Sequence, residues 1–252
     1  MPNHLTNIIE IVDLGSASLE DVRGALLNKG NFVDFNMIVP MPKCLEDFEP
    51  HQRIISLAEA QVGAQIPGNI LLADFEIKNR LYALAEKEGM SEEDLASVER
   101  AVKNYEECGH FYWYDWNCDN WDTKWNAYSQ PQEGYSADST VFMFNTAWSH
   151  PAKIIMALSK KLPTTTFDIK YADEEIGNNC GTYTIKGGVI TDENIAPLWE
   201  DMTDQQQREY TALAFNIRYP GEDPRSRGYD ENWKFSDEVY DAYEEEEKAA
   251  ST

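Results

Sequence analysis

Residues 139–172 read STVFMFNTAWSHPAKIIMALSKKLPTTTFDIKYA, and this stretch decides the fold. Residues 139–146 predict a central strand with two covered faces, because apolar side chains occur in both alternating sets. Apolar residues then recur at helical spacing over residues 154–162, and Pro163 ends that helix. Residues 166–172 alternate again between polar and apolar side chains. The stretch therefore predicts a β-α-β unit.

The N-terminal residues predict the same order of elements. Residues 4–13 (HLTNIIEIVD) are rich in isoleucine and valine and predict a strand. Ser18 and Asp21 have the spacing of a capping pair at the start of a helix. Residues 32–42 (FVDFNMIVPMP) predict a second strand, which ends there or lies at a sheet edge because two prolines remove backbone donors.

Between these two patterns the chain changes to a helical period. Residues 54–60 and 70–87 predict two helices, and a third is expected from about residue 92 to residue 108. Ser91 and Asp94 form a second capping pair before that third helix.

The remaining elements follow from shorter signals. Residues 125–129 are predicted to be extended, and residues 181–185 to be the hairpin neighbour of the strand at 166–172. Residues 196–218 predict one helix. The chain after residue 221 is polar and strongly acidic, so its end is expected to fray.

Together these elements predict an α+β protein: a ferredoxin-like antiparallel sheet with a helical insertion and extra C-terminal helices. We expect a ferredoxin-like domain over residues 1–190, with the insertion at about 43–112. Residues 191–252 are expected to form a C-terminal helix and an acidic tail.

Charge limits the class of partner. The chain has 45 Asp and Glu against 21 Lys and Arg, a formal net charge of −24. Direct binding of nucleic acid draws on clustered Lys and Arg, so it is disfavoured, as is an anionic membrane surface. No apolar run approaches the ~20 residues of a membrane-spanning helix, and the first residues do not resemble a signal peptide. We expect a cytoplasmic protein of a bacterial host, with a basic partner.

Residues 111–128 hold four of the seven tryptophans. One interpretation is an aromatic platform for a base, a sugar or a peptide. The other, which we favour, is that the rings fill the junction between the insertion and the sheet, because only Lys124 supplies a cation there.

Three kinds of chemical site lack the sequence pattern that they require. Cys108, His110 and Cys118 could bind zinc with Cys44 or Cys180, but they lack the tight paired spacing of structural zinc sites. A cation on the acidic residues 115, 119 and 122 would not match a calcium loop. A nucleophile from one of these cysteines with His110 has no third group to orient it. We therefore expect no catalytic residue, no metal, no cofactor and four free cysteines.

Four stretches together resemble a family of small proteins encoded by phages and plasmids, the YubB-type ferredoxin-like domain family. They are residues 1–7, residues 34–42, the string NWDTKWNAY at 120–128, and TAWS at 146–149. The chain departs from the family at Asp122, where the family favours Gly. The resemblance implies a ferredoxin-like core and a mobile-element origin, and it carries over no catalytic residue.

We expect the string at 120–128 to be structural, with rings that are mostly buried and with Lys124 paired to a carboxylate or a carbonyl. A Trp125→Ala substitution would then destabilise the fold by ~3–5 kcal/mol. The family residues concerned are Asn120, Trp121, Thr123, Lys124, Trp125 and Asn126.

The predicted function is a non-enzymatic acidic binding protein of a phage or plasmid that inhibits a host defence or nucleic-acid-handling protein. It would occupy a basic site by DNA mimicry, and the partner would be a host nuclease or a CRISPR or restriction component. The carboxylates assigned to this surface are Asp173, Glu174, Glu175, Glu244, Glu245, Glu246 and Glu247. The alternatives are a small-ligand binder or enzyme that uses the Trp-rich junction, or a charge that serves only solubility.

Overall fold

A five-stranded antiparallel sheet is the framework of the larger of two units in the chain. The computed structural model describes residues 3–65 and 89–250. The larger unit comprises Met1–Val39 with Trp121–Thr252, and the smaller unit comprises Pro40–Asn120. The strands, in the spatial order β2-β1-β3-β4-β5, are β1 His4–Asp13, β2 Val141–Ala147, β3 Thr166–Asp173, β4 Cys180–Lys186 and β5 Val189–Ile195.

Strand β1 lies between β2 and β3 and is antiparallel to both. Strands β2 and β3 therefore run parallel to each other and form a split β-α-β unit around β1. Ile9 of β1 lies opposite Phe142 on one side and Ile169 on the other, and all three side chains are buried. The β-α-β unit expected from residues 139–172 is confirmed, as is the α+β fold with a ferredoxin-like sheet.

The helices of the described residues begin where capping side chains are available. Ser18 with Asp21 and Ser91 with Asp94 form the two expected capping boxes, and Thr203 with Gln206 forms a third. The helices are α1 Leu19–Leu26, α2 Gln52–Gln65, α3 Glu92–Cys108, α4 Trp113–Trp121, α5 Ala152–Lys161, α6 Asp204–Arg218 and α7 Asp237–Ala250. Short 3₁₀ helices lie at Phe35–Met37, Lys43–Leu45, Trp199–Asp201 and Pro224–Arg227.

The sheet is covered on both faces. Helices α1 and α5 contact each other, and α5 contacts β4. Helix α6 contacts β1, β3 and β4, and its Ala214 and Ile217 pack on Ala172 and Cys180 of the sheet. The prediction that residues 139–146 form a central strand is wrong, because β2 lies at an edge of the sheet, with β1 on one side and an isolated bridge from Asn145 to Tyr128 on the other.

The smaller unit has a hydrophobic core of its own, in which α2 packs against α3. Gly109 ends α3 in the left-handed conformation, at φ 79°. The buried residues of this core are Phe48, Ile54, Ile55, Ala58, Val98, Ala101, Val102 and Phe111. The helix expected at residues 70–87 lies outside the described residues.

The strand predicted at residues 32–42 is wrong. Asp34 accepts a hydrogen bond from the Asn36 N–H at 2.9 Å and starts the short 3₁₀ helix instead. The backbone of Val33 is held by one side chain rather than by a strand, because Gln130 bonds both its N–H and its carbonyl, at 2.7 and 3.0 Å. A local turn and a remote amide thus replace the expected ladder.

Three further boundaries differ from expectation. Residues 125–129 contribute only an isolated bridge, in which Tyr128 pairs with Asn145. The helix expected at residues 196–218 begins only at Asp204, because Thr203 caps it there. Strand β5 was not predicted, since all seven of its residues are exposed and show no burial period.

No helix among the described residues has the length and hydropathy that crossing a bilayer requires.

Candidate binding surfaces

Trp121 is a core residue of the larger unit, with an exposed fraction of 2%. Its indole Nε1 donates to the Val39 carbonyl at 2.9 Å, and its ring meets Phe35 edge to face with centroids 5.6 Å apart. Thr123 is also buried, and its hydroxyl donates to the Ala147 carbonyl at 2.8 Å. These contacts join the motif at 120–128 to the end of β2 and to the segment after α1.

The two asparagines of the motif form hydrogen bonds with neighbouring segments. Asn126 accepts from the Phe35 N–H at 2.9 Å and donates to the Asp34 carboxylate at 2.7 Å. Asn120 donates to the Trp116 carbonyl at 2.9 Å. An amide suits both places because it accepts and donates at once.

Trp125 lies on the surface, with 37% of the residue exposed. The expectation that the rings of the motif are mostly buried is therefore correct for Trp121 and wrong for Trp125. The Lys124 ammonium lies 4.8 Å from the Trp125 ring centroid and 4.9 Å from that of Trp148, which is 43% exposed. The two rings and the cation form a cation–π ladder on the surface.

Asp122 combines an unusual backbone conformation with the capping of a helix. Its backbone is left-handed, at φ 62°, a conformation that Gly adopts without strain. Its carboxylate accepts from the Lys153 backbone N–H at 2.9 Å and lies 2.9 Å from the Lys153 Nζ. Helix α5 begins after Pro151, which has no capping side chain. Asp122 therefore supplies the cap from a distant segment.

His150 lies at the centre of a polar network inside the sheet unit. Its Nδ1 lies 2.8 Å from Asn7 Oδ1 and its Nε2 lies 2.7 Å from the Tyr183 hydroxyl. The ring stacks on Tyr171 with centroids 4.3 Å apart. The Asn7 side-chain amide donates to the Leu5 carbonyl and the Thr146 hydroxyl, so its Oδ1 faces His150 as an acceptor. The His150 Nδ1 therefore carries the proton, and Nε2 accepts from the Tyr183 hydroxyl. Desolvation lowers the pKa of His150 to about 3, so the ring is neutral at physiological pH.

The cysteines are free, and two of them are neighbours. The Cys44 and Cys108 sulfurs lie 3.8 Å apart. Desolvation, with the Cys108 thiol as a second cause, raises the pKa of Cys44 to about 11, which keeps its thiol protonated. Desolvation raises the pKa of the buried Cys180 to about 12.

Both ring nitrogens of His110 lie within hydrogen-bonding distance of oxygen atoms. Its Nδ1 lies 3.1 Å from the Cys108 carbonyl oxygen and its Nε2 lies 3.1 Å from the Asp119 carboxylate. Within residues 3–65 and 89–250, no group of three or more His, Cys, Asp or Glu side chains is placed to hold a metal ion.

The first acidic cluster, residues 173–175, is only partly exposed. Asp173 has an exposed fraction of 4%, so its assignment to the partner-binding surface is corrected. Its carboxylate accepts from the side-chain amides of Asn3 and Asn179, at 3.3 and 3.2 Å, and from the Glu175 N–H at 3.0 Å. These three hydrogen bonds satisfy the buried Asp173 carboxylate, which would otherwise be costly to remove from water. Glu174 and Glu175 are exposed.

The second acidic cluster, Glu244 to Glu247, lies in helix α7. Every residue of α7 is at least partly exposed. Glu246 pairs with Arg225 at 2.9 Å, and Glu244 pairs with Lys248 at 2.9 Å. The segment expected to fray is thus helical up to Ala250.

A groove that sequence reasoning missed lies beside helix α6 and has a volume of about 830 Å³. We call it the tail groove. Residues from four separate segments line it: the turn after β3, the 3₁₀ helix at Trp199, the first half of α6, and residues 229–235. These are Glu175, Ile176, Asn178, Trp199, Asp204, Gln207, Arg208, Thr211, Tyr229, Trp233, Lys234 and Phe235. The only signal in the sequence was the aromatic spacing of Trp233 and Phe235 in an otherwise acidic tail.

A family model supports the ferredoxin-like fold. Residues 121–216 match a family model described as a ferredoxin-like domain in Api92-like protein. Among solved structures, the chain is similar to the protein api92 from Yersinia pseudotuberculosis, with a TM-score of 0.34 and 11% identity. That likeness covers 78% of this chain and 99% of the Yersinia chain. No curated protein matches.

Proposed function

We propose that the protein is a non-enzymatic binding protein whose acidic surface occupies the basic site of a partner protein. The observation that carries this proposal is helix α7, which presents seven carboxylates and one lysine with no buried residue. The carboxylates are Asp237, Glu238, Asp241, Glu244, Glu245, Glu246 and Glu247.

The spacing of carboxylates along α7 is close to the spacing of phosphates along one DNA strand. Its 14 residues span about 21 Å at ~1.5 Å per residue, so a carboxylate occurs about every 3 Å along the axis. One strand of B-DNA has one phosphate per ~3.4 Å of axis. Asp237, Asp241 and Glu245 follow each other at intervals of four residues and share one face of the helix. A rigid helix of this kind supports the hypothesis of DNA mimicry.

The identity of the partner follows from the suspected origin. If the chain comes from a phage or plasmid, the basic site belongs to a host nuclease, or to a CRISPR or restriction component. The net charge of −24 would attract such a protein over long distances.

The test begins with affinity capture from an extract of the bacterium that carries the gene, and continues with the purified partner. Binding should weaken steeply as salt rises from low to physiological concentration, and duplex DNA should compete. A triple variant with Asp237, Asp241 and Glu245 changed to Lys should associate at least tenfold more slowly.

The matched control changes the exposed Glu106, Asp192 and Glu193 to Lys, which alters the net charge by the same amount elsewhere. This control should change association less than threefold. Equal losses in both variants would mean that the charge acts only as a general field. DNA mimicry is ruled out if the affinity does not change with salt concentration, or if duplex DNA does not compete for the partner.

A second candidate function is supported by the exposed ladder of Trp125, Lys124 and Trp148. Trp148 adopts a left-handed backbone, at φ 72°, which is uncommon for an aromatic residue, and such strain concentrates at functional sites. A small planar anion could stack on these rings. Ligand binding that is lost in Trp125→Ala, without a loss of partner binding, would favour this function over the first.

A further inference from the structure

We propose that the tail groove holds a single lysine or arginine side chain from an extended peptide of the basic partner. This inference deepens the proposed function and rests on it for the origin of the peptide. None of the residues that line the groove belongs to helix α7.

Aromatic faces form much of the groove. Trp199 and Phe235 remain 41% and 63% exposed, so the chain itself leaves these faces open. Trp233 and Tyr229 stand beside them, with ring centroids 6.4 Å apart, and Tyr229 meets Phe235 at 5.8 Å. The face of an aromatic ring is electron-rich and attracts a lysine or arginine cation within about 6 Å of its centroid.

Two carboxylates complete the match to a cation. Glu175 and Asp204 line the groove, and neither has a cation within 4 Å among the described residues. The field of a chain with a net charge of −24 adds to their attraction. A cation that enters the groove therefore meets both unpaired carboxylates and aromatic faces.

Two cationic side chains, Arg208 and Lys234, also line the groove. Their side-chain N–H groups have no hydrogen-bond acceptor among the described residues, which suits the carbonyl groups of a peptide backbone. Their charges offset those of Glu175 and Asp204, so the attraction for a cation comes from the aromatic faces and from the net charge of the whole chain. The groove thus fits one basic side chain within a neutral, extended segment better than it fits a polybasic run.

The Trp199 ring packs closely against the backbone at Gly177. Gly177 has φ +95°, and a β-carbon there would lie 2.8 Å from the Trp199 ring and 2.9 Å from the Thr211 hydroxyl oxygen. Trp233, which also lines the groove, has a left-handed backbone, at φ 60°. The close packing at Gly177 limits the movement of the Trp199 ring, which reduces the conformational freedom lost on binding.

The test uses the full-length chain with ¹⁵N-labelled indole groups and the peptide acetyl-Gly-Arg-Leu-Gly-amide. The indole N–H resonances of Trp199 and Trp233 should shift in a saturable manner, while that of the buried Trp121 stays constant. Replacing the arginine by citrulline keeps the shape and removes the charge, and should weaken binding about tenfold. A glutamate in that place should abolish it.

The variants separate this site from the rest of the molecule. Trp199→Ala should weaken binding of the arginine peptide about tenfold. The control is Leu198→Ala, because Leu198 is 68% exposed but does not line the groove, and it should leave binding unchanged. Equal binding of the citrulline peptide, or unchanged binding in Trp199→Ala, would overturn the proposal. Competition between DNA and the α7 surface is measured without this peptide, so the two proposals can fail separately.

Discussion

Two tryptophans of one motif, Trp121 and Trp125, should respond differently to truncation. Trp121 is 2% exposed and donates a hydrogen bond to Val39, whereas Trp125 is 37% exposed. A tryptophan that buries about 200 Å² contributes about 5 kcal/mol at ~25 cal/mol per Å². Trp121→Ala should therefore destabilise the larger unit by about 4–5 kcal/mol, since it also leaves a cavity and an unsatisfied carbonyl.

Trp125→Ala should cost less, about 3 kcal/mol, because a tryptophan that is 37% exposed buries about two thirds of the area that Trp121 buries. Its ring lies at the surface, so water fills the vacated space, and the contact with Lys124 contributes only about 0.5–1 kcal/mol. Urea denaturation followed by far-ultraviolet circular dichroism measures both free energies of unfolding without depending on tryptophan fluorescence.

If Trp121→Ala does not fold, Trp121→Phe provides the comparison. It keeps an aromatic ring and removes the donor to Val39, so a loss of about 1–3 kcal/mol is expected. The matched Trp125→Phe variant should lose less than about 1 kcal/mol. The reasoning is refuted if the position-125 variants lose as much stability as those at position 121.

Three further predictions concern the larger and the smaller units. Because desolvation lowers the pKa of His150 to about 3, the stability it contributes is complete above pH ~6.5 and is lost as the pH falls from ~6.5 towards 3. Its ring resonance in NMR should therefore not titrate between pH 5 and 8 in the folded protein but should do so in urea; titration near 6.5 in the fold would contradict the network. Asp122→Ala should be less stable than Asp122→Gly by about 1 kcal/mol, because both lose the cap of α5 but only Gly relieves the left-handed backbone; equal melting temperatures would show that no strain is present there. A mild thiol oxidant such as diamide should join Cys44 to Cys108, with loss of two hydrogens, since their sulfurs lie 3.8 Å apart; mass spectrometry after digestion finds the linked peptides, and Cys44→Ser should abolish them.

The sequence determined the elements whose signals are local. The capping pair Ser18 and Asp21, and the pair Ser91 and Asp94, start helices where expected, because a side chain three residues away satisfies the first free backbone donors. The strands at 4–13 and 166–172 were evident from their alternation, and their pairing produced the expected ferredoxin-like sheet.

Only the tertiary structure decided where remote groups replace a backbone partner. The segment 32–42 has the composition of a strand, yet Gln130 and Asn126 take the places of a neighbouring strand along it. Neither amide could be assigned to that role from the sequence, because nothing local marks a contact made across about 90 residues. The same limit explains Asp122, whose capped helix begins about 30 residues further on.

Burial, too, depended on the fold rather than on residue type. Trp121 and Trp125 share one motif, but one is in the core and the other on the surface, because only Trp121 faces Phe35 and Val39. The tail groove draws its residues from four segments that are distant in sequence, so no spacing could indicate it. A sequence encodes the preference of each segment, whereas a site is made by side chains that meet only after the segments have packed.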